Sequence, residues 1–255
     1  MRHEIHADPH TLGRAAGNEA GDRIAAAIRS QGHARIVIAT GASQFATLAC
    51  LVARTDIDWS KVECFHLDEY VGMDDRHPAS FRRYLRERFV SRVENLGAFH
   101  GVAGDDQDPQ GECARLGRLI SARPVDVLCL GIGENGHLAF NDPPADFTTR
   151  EPYLIVDLDE GCRQQQFGEG WFPTLASVPK KAISMSINQI LAARHLVASV
   201  PDLRKAKAVQ GSLEDPVSPI CPGTALRRHA SCTVHLDLAS ASLLKPATRS
   251  AANRS

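Results

Sequence analysis

The apolar positions along the chain change period again and again. Residues 10–30, "HTLGRAAGNEAGDRIAAAIRS", space them three and four apart and predict an amphipathic helix. "ARIVIAT" (34–40) follows as a β-branched run bounded by glycine and predicts a buried strand. Helical spacing returns over 43–54, and "KVECFHLDEY" (61–70) predicts another strand. Residues 78–93 predict a charged helix with Pro78 near its first turn, where the missing N–H costs nothing. A further helix covers 111–122, and "PVDVLCLGIG" (124–133) is the most apolar strand, flat in pattern as a central parallel strand would be.

Beyond it the strands "PYLIVDL", "HLVASV" and "TVHLD" alternate with the helices "SINQILAAR" and "RKAKAVQGSL". This alternation predicts an α/β fold: a single doubly wound, mostly parallel, Rossmann-like sheet with helices on both faces. One domain is expected over 1–242, followed by a frayed tail at 243–255.

Composition narrows the partners. With 255 residues and 43% hydrophobic content, the chain can bury a sizeable core. Twenty-nine basic against 30 acidic residues leave a net charge of -1, which argues against a nucleic-acid or membrane surface, since either partner requires a field of positive charge. The expected partner is a small molecule, and a homo-oligomer is compatible with the sequence. Seven scattered cysteines without a CxxC pair fit reduced thiols, and "MRHEIHADPH" has no apolar signal core. No apolar run is long enough to span a bilayer. The expectation is a cytoplasmic protein.

Ligands of such sheets collect at the carboxyl ends of the strands. Three ends carry unusual residues: "VIAT" runs into "GASQ", "CFHL" into "DEYVG", and "LCLGIG" into "ENGHLAFNDPP". If those strands are neighbours, one crevice holds Ser43, Asp68, Asn135, His137 and Asp142. The turn Thr40-Gly41-Ala42-Ser43-Gln44 would aim backbone N–H groups and a helix dipole at an anion, although such turns often serve only as a turn and a cap. Asp68 or Glu69, shielded from water, could abstract a proton; only one can face the crevice. His137, flanked by Asn135 and Asp142, can be oriented and can shuttle protons. Lys205 could neutralise a phosphate. His66, Asp68 and His137 lack the compact spacing of a metal site, so no metal is expected.

Together, "FHLDEYVGM...HPASFRRYL", "GIGENGHLAFNDPP", "VPKKAISMSINQIL" and "RKAKAVQ" resemble the glucosamine-6-phosphate deaminase family, part of a superfamily that includes 6-phosphogluconolactonases. The resemblance spans roughly residues 5 to 240. It implies isomerisation of glucosamine 6-phosphate with loss of ammonia, without cofactor. It implies Asp68 as the base that moves a proton from C2 to C1, His137 as the group that assists ring opening, and Asp142 as the carboxylate that orients His137. Residues 41–44 and Lys205 would hold the 6-phosphate.

Departures from the family pattern are equally specific. Asp142 stands where the family generally has Glu. Glu169, by ungapped count, stands where the family places a phosphate-gripping Arg, with Arg163 six residues earlier as the candidate substitute. Only Arg150 remains of the basic run of regulated members, so the usual allosteric site is not expected. A lactonase using His137 to activate water, and a sugar-phosphate-binding protein without turnover, are the alternatives.

Overall fold

The computed structural model describes residues 1–252 and resolves the alternation into two sheets. In chain order the elements are β1 (Arg2–His6), α1 (Pro9–Gln31), β2 (Ala34–Ile38), α2 (Phe45–Val52), β3 (Val62–His66), β4 (Asp68–Tyr70), α3 (Phe81–Arg88), β5 (Ala98–His100) and α4 (Pro109–Ser121). They continue with β6 (Val127–Leu130), β7 (Tyr153–Asp157), α5 (Glu160–Gly168), β8 (Lys181–Met185), α6 (Ile187–Leu191), β9 (His195–Val200), α7 (Ala206–Glu214), β10 (Cys232–Asp237) and α8 (Pro246–Ser250).

The main sheet has seven strands in the order β1-β10-β9-β6-β2-β3-β5, all paired parallel. Every residue of β2 is buried, and the side chains alternate between two cores. Ile36 and Ile38 join a cluster with Ala16, Ala20 and Leu48 of α1 and α2, while Val37 joins one with Leu116 of α4 and Val209 of α7. That is the doubly wound arrangement read from the sequence, and each such side chain contributes about 1.5–3 kcal/mol of burial.

The second sheet is the departure. "KVECFHLDEY" does not form one strand: β3 stays in the main sheet, while β4 crosses to pair antiparallel with β8, which pairs in turn with β7. Periodicity marks apolar runs but not the sheet that receives them, so β4 and β7 were expected in the main sheet. β1, β5 and β8 are further strands absent from the sequence reading. At the other end, residues 243–255, expected as a tail, include α8, and His3 Nε2 lies 2.9 Å from the carbonyl of Thr248. Residues 253–255 lie outside the described residues.

Close approach of α1 and α2 sets the position of the turn before α2. Gly13 and Gly17 of α1 lie against α2 so tightly that a Cβ on Gly13 would fall 2.3 Å from Cβ of Ala46. The start of α2 is thereby pinned beside the end of β2.

Candidate functional site

The chain leaves β2 toward β3 and β5 on one side, then returns through β6 toward β9 and β10 on the other. β2 and β6 are neighbours, so the order reverses between them and their outgoing loops diverge, which opens a crevice at their carboxyl ends. A cleft of about 270 Å³ lies there, lined by residues 40–43, Asp68, Gly131 to Gly133, His137 and Lys205 among others.

Gly41, with φ of +95°, turns the chain out of β2 into a short 3-10 segment leading to α2. Its carbonyl accepts from Tyr84 Oη at 2.9 Å, and the N–H groups of Gly41, Ala42 and Ser43 have no acceptor among the described residues. Free donors at a helix start suit an anion. Gln44 differs from expectation. Its N–H donates to the Gly41 carbonyl, and its buried side chain reaches the carbonyls of Leu130 and Ser199. It ties β2 to β6 and β9 and does not line the cleft.

Opposite the turn, Asp202 takes the strained φ of +91° with its N–H aimed at the Asp237 carboxylate, and so brings Arg204 and Lys205 to the cleft. Lys205 is buried, and desolvation lowers its pKa against the pull of Glu134 and Glu169. Arg163 does not reach the cleft. It lies on the face of α5 that packs on the following turn, and its Nη2 donates to the Leu175 carbonyl at 2.8 Å. Gln165 and Gln166 of α5, and Glu169 just past its end, line the cleft instead. Glu169 accepts from Gln165 Nε2 at 3.0 Å, so the acid counted onto the phosphate-gripping position does stand at the cleft.

Asp68 and Glu69 separate as strand alternation requires. Glu69 turns to the start of α3, where its carboxylate accepts from Ser80 Oγ at 2.7 Å and from the Arg82 N–H at 2.8 Å. Burial raises it to about 7 despite those bonds. Asp68 faces the cleft, 6% exposed, and its carboxylate has no hydrogen bond among the described residues. Desolvation, with the nearby Glu69 adding to it, raises its pKa to about 8. A carboxyl so placed is a strong base once ionised.

His137 lines the cleft from the loop after β6. Its Nδ1 lies 3.1 Å from Oδ1 of Asp142, off the in-line direction of a hydrogen bond. Asn135 stands behind both: its Oδ1 accepts the His137 N–H at 3.0 Å, and its Nδ2 donates to Asp142 at 3.1 Å. Asp142 also accepts the Asp159 N–H at 3.1 Å. Burial would raise its pKa, but His137, Asn135 and Asp159 outweigh it and hold the carboxyl below the ordinary value. The shorter acid therefore stays ionised against the imidazole. Asn135 and Asp142 orient His137 from behind and do not line the cleft.

His66 stands apart. It is fully buried beside Arg82, lowered to about 3 by desolvation, and does not line the cleft. The donor set near His137 and Asp142 is completed by Cys162, whose thiol burial pushes far up, so it is a weak metal ligand at neutral pH. Sequence reasoning missed Gln165 and Gln166 because helical spacing over 160–168 is weak. Tyr70 Oη donates to Gln166 Oε1 at 2.8 Å and holds α5 to the second sheet, a contact no local pattern announces.

Comparison with known proteins places this arrangement. Residues 7–235 match the family model described as glucosamine-6-phosphate isomerases/6-phosphogluconolactonase. The chain is 36% identical over 236 residues to the glucosamine-6-phosphate deaminase of Pseudarthrobacter chlorophenolicus, covering 91% of this chain and 90% of that one. A solved monomeric glucosamine-6-phosphate deaminase superposes with a TM-score of 0.85 at 30% identity, over 95% of this chain and 100% of the other. The 6-phosphogluconolactonase of Shewanella baltica shares the fold, with a TM-score of 0.75 at 20% identity, over 93% of this chain and 97% of the other. No described helix is long and apolar enough to cross a membrane. With a cleft at the switch point, a shielded carboxyl and an oriented imidazole in it, and a match that runs through nearly the whole sheet, the chain belongs to the glucosamine-6-phosphate isomerase/6-phosphogluconolactonase family.

Proposed function

We propose that the chain is a glucosamine-6-phosphate deaminase, converting glucosamine 6-phosphate and water to fructose 6-phosphate and ammonia. The 6-phosphate sits against the free N–H groups of Gly41, Ala42 and Ser43, with Lys205 as its counter-charge. His137, held by Asn135 and Asp142, moves a proton between the ring oxygen and O1 to open the ring. Asp68 then takes the proton from C2, leaving an enolamine, and returns it to C1. Water adds to the resulting imine at C2 and ammonia leaves.

The observation that carries this reading is Asp68: a carboxyl in the cleft, raised to about 8 and free of hydrogen bonds to the described residues. Lactone hydrolysis involves no carbon acid, whereas isomerisation needs a base for the C2 proton, which is the role this carboxyl fits. The seven free thiols support a reducing, cytoplasmic setting. Coupled assay of ammonia and fructose 6-phosphate is the test. Turnover in the wild type that falls by at least about 100-fold in Asp68→Asn supports the reading. A folded wild type that releases neither product overturns it.

A further inference from the structure

We propose that Glu4, His6 and His235 form a site for a divalent transition-metal ion of the zinc type, outside the cleft. The strand pairing builds it. Glu4 and His6 are two apart on β1 and share a face, and Glu4 is the register partner of His235 on β10. The three side chains meet on the side covered by α1.

Their donor atoms form a triangle. His6 Nε2 lies 3.1 Å from His235 Nδ1 and 3.8 Å from Glu4 Oε2, and His235 Nδ1 lies 3.6 Å from the same oxygen. Three ligands of a tetrahedral zinc ion at about 2.0–2.1 Å stand about 3.3 Å apart, so the triangle closes on an ion with small side-chain shifts.

The surroundings favour it. The other nitrogen of His235, Nε2, lies 3.0 Å from Glu19 Oε2. Glu19 also accepts from Thr233 Oγ1 at 2.9 Å and from Arg2 Nη2 at 3.0 Å. With Nε2 placed to donate to Glu19, Nδ1 of His235 faces His6 and Glu4, the carboxylate-histidine arrangement that supports metal ligands. Glu4 and His235 border a surface depression that Arg2, Asn18, Glu19, Asp22 and Arg23 also line. β1 is an edge strand whose one strand partner is β10, and an ion here would fasten one to the other.

The test uses the full, tag-free chain, zinc and cobalt. Metal-free protein is titrated with Zn²⁺ calorimetrically, and Co²⁺ is followed by its visible d–d spectrum. The proposal expects one ion per chain, a four-coordinate cobalt spectrum without a thiolate charge-transfer band, and a melting temperature that rises with zinc. Glu4→Gln and His6→Ala should abolish all three, Glu19→Gln should weaken binding about 10- to 100-fold, and Cys162→Ser should leave it intact. Should His6→Ala not fold, Glu4→Gln, which keeps the side-chain shape, decides alone. Absence of binding in the wild type, binding unchanged in Glu4→Gln, or binding lost in Cys162→Ser would overturn the proposal.

Discussion

The imidazole of His137 rests directly on Gly133: a Cβ at Gly133 would fall 2.3 Å from its Nε2 and Cε1. No side chain other than hydrogen fits there while the ring stays beside Asp142. The glycine is a matter of space, not of backbone conformation.

Gly133→Ala should therefore drive the ring out of its place. Because the ring is the end of a side chain and can swing away, the fold should survive with a shift of a few degrees in Tm, while kcat for deamination falls about 100-fold or more. The double variant Gly133→Ala/His137→Ala should be no slower than His137→Ala alone. A Gly133→Ala enzyme with normal kcat would mean that the position of the ring does not matter to the reaction.

Glu169 offers a prediction of opposite sign. Half-buried at the cleft, it lends Lys205 a negative neighbour where a phosphate dianion is to bind, and two like charges at such a distance cost about 1 kcal/mol or more. Glu169→Gln should lower KM for glucosamine 6-phosphate roughly fivefold or more with kcat little changed. Lys205→Ala should raise KM by at least about tenfold. If Glu169→Gln raised KM instead, the acid would be contacting a donor on the sugar.

How far the sequence announced these contacts follows from their range. The strand-to-loop junctions after β2, β3 and β6 are local, and the parallel order brings Ser43, Asp68 and His137 to one cleft as the alternation implies. Strand alternation puts Asp68 and Glu69 on opposite faces without saying which one meets the cleft; the family resemblance points to Asp68, and the structure turns Glu69 away to Ser80 and Arg82. Gln44 was misplaced because the same turn chemistry serves a ligand or the sheet beneath it, and only the nearness of Leu130 and Ser199 settles which. Arg163 failed for a similar reason: its charge suggested the cleft, whereas its place on the helix directs it to Leu175. The second sheet depends on non-local pairings, Asp68 with Ser184 and Tyr153 with Met185, which local patterning does not announce.

Asp68 also links activity to stability. Its carboxyl is raised to about 8, chiefly by desolvation and further by Glu69. The ionised form is the base, so kcat/KM should climb with pH and level off above about 8. Glu69→Gln removes the like charge and should move that limb to lower pH. For stability the sign reverses: a carboxyl whose folded pKa lies above its ordinary value stabilises the fold at low pH, and that contribution is lost as pH rises through the folded value. Between about pH 6 and pH 9 wild type should lose roughly 2 to 3 kcal/mol that Asp68→Asn, which has no proton to give up, keeps. Glu69, raised to about 7, titrates in both proteins and cancels in the difference to first order. Thermal melts of the two across that range should diverge by roughly 5 to 10 °C in favour of the inactive variant. Parallel melting curves would show that Asp68 is solvated in the folded chain, and the base would have to be sought elsewhere in the cleft.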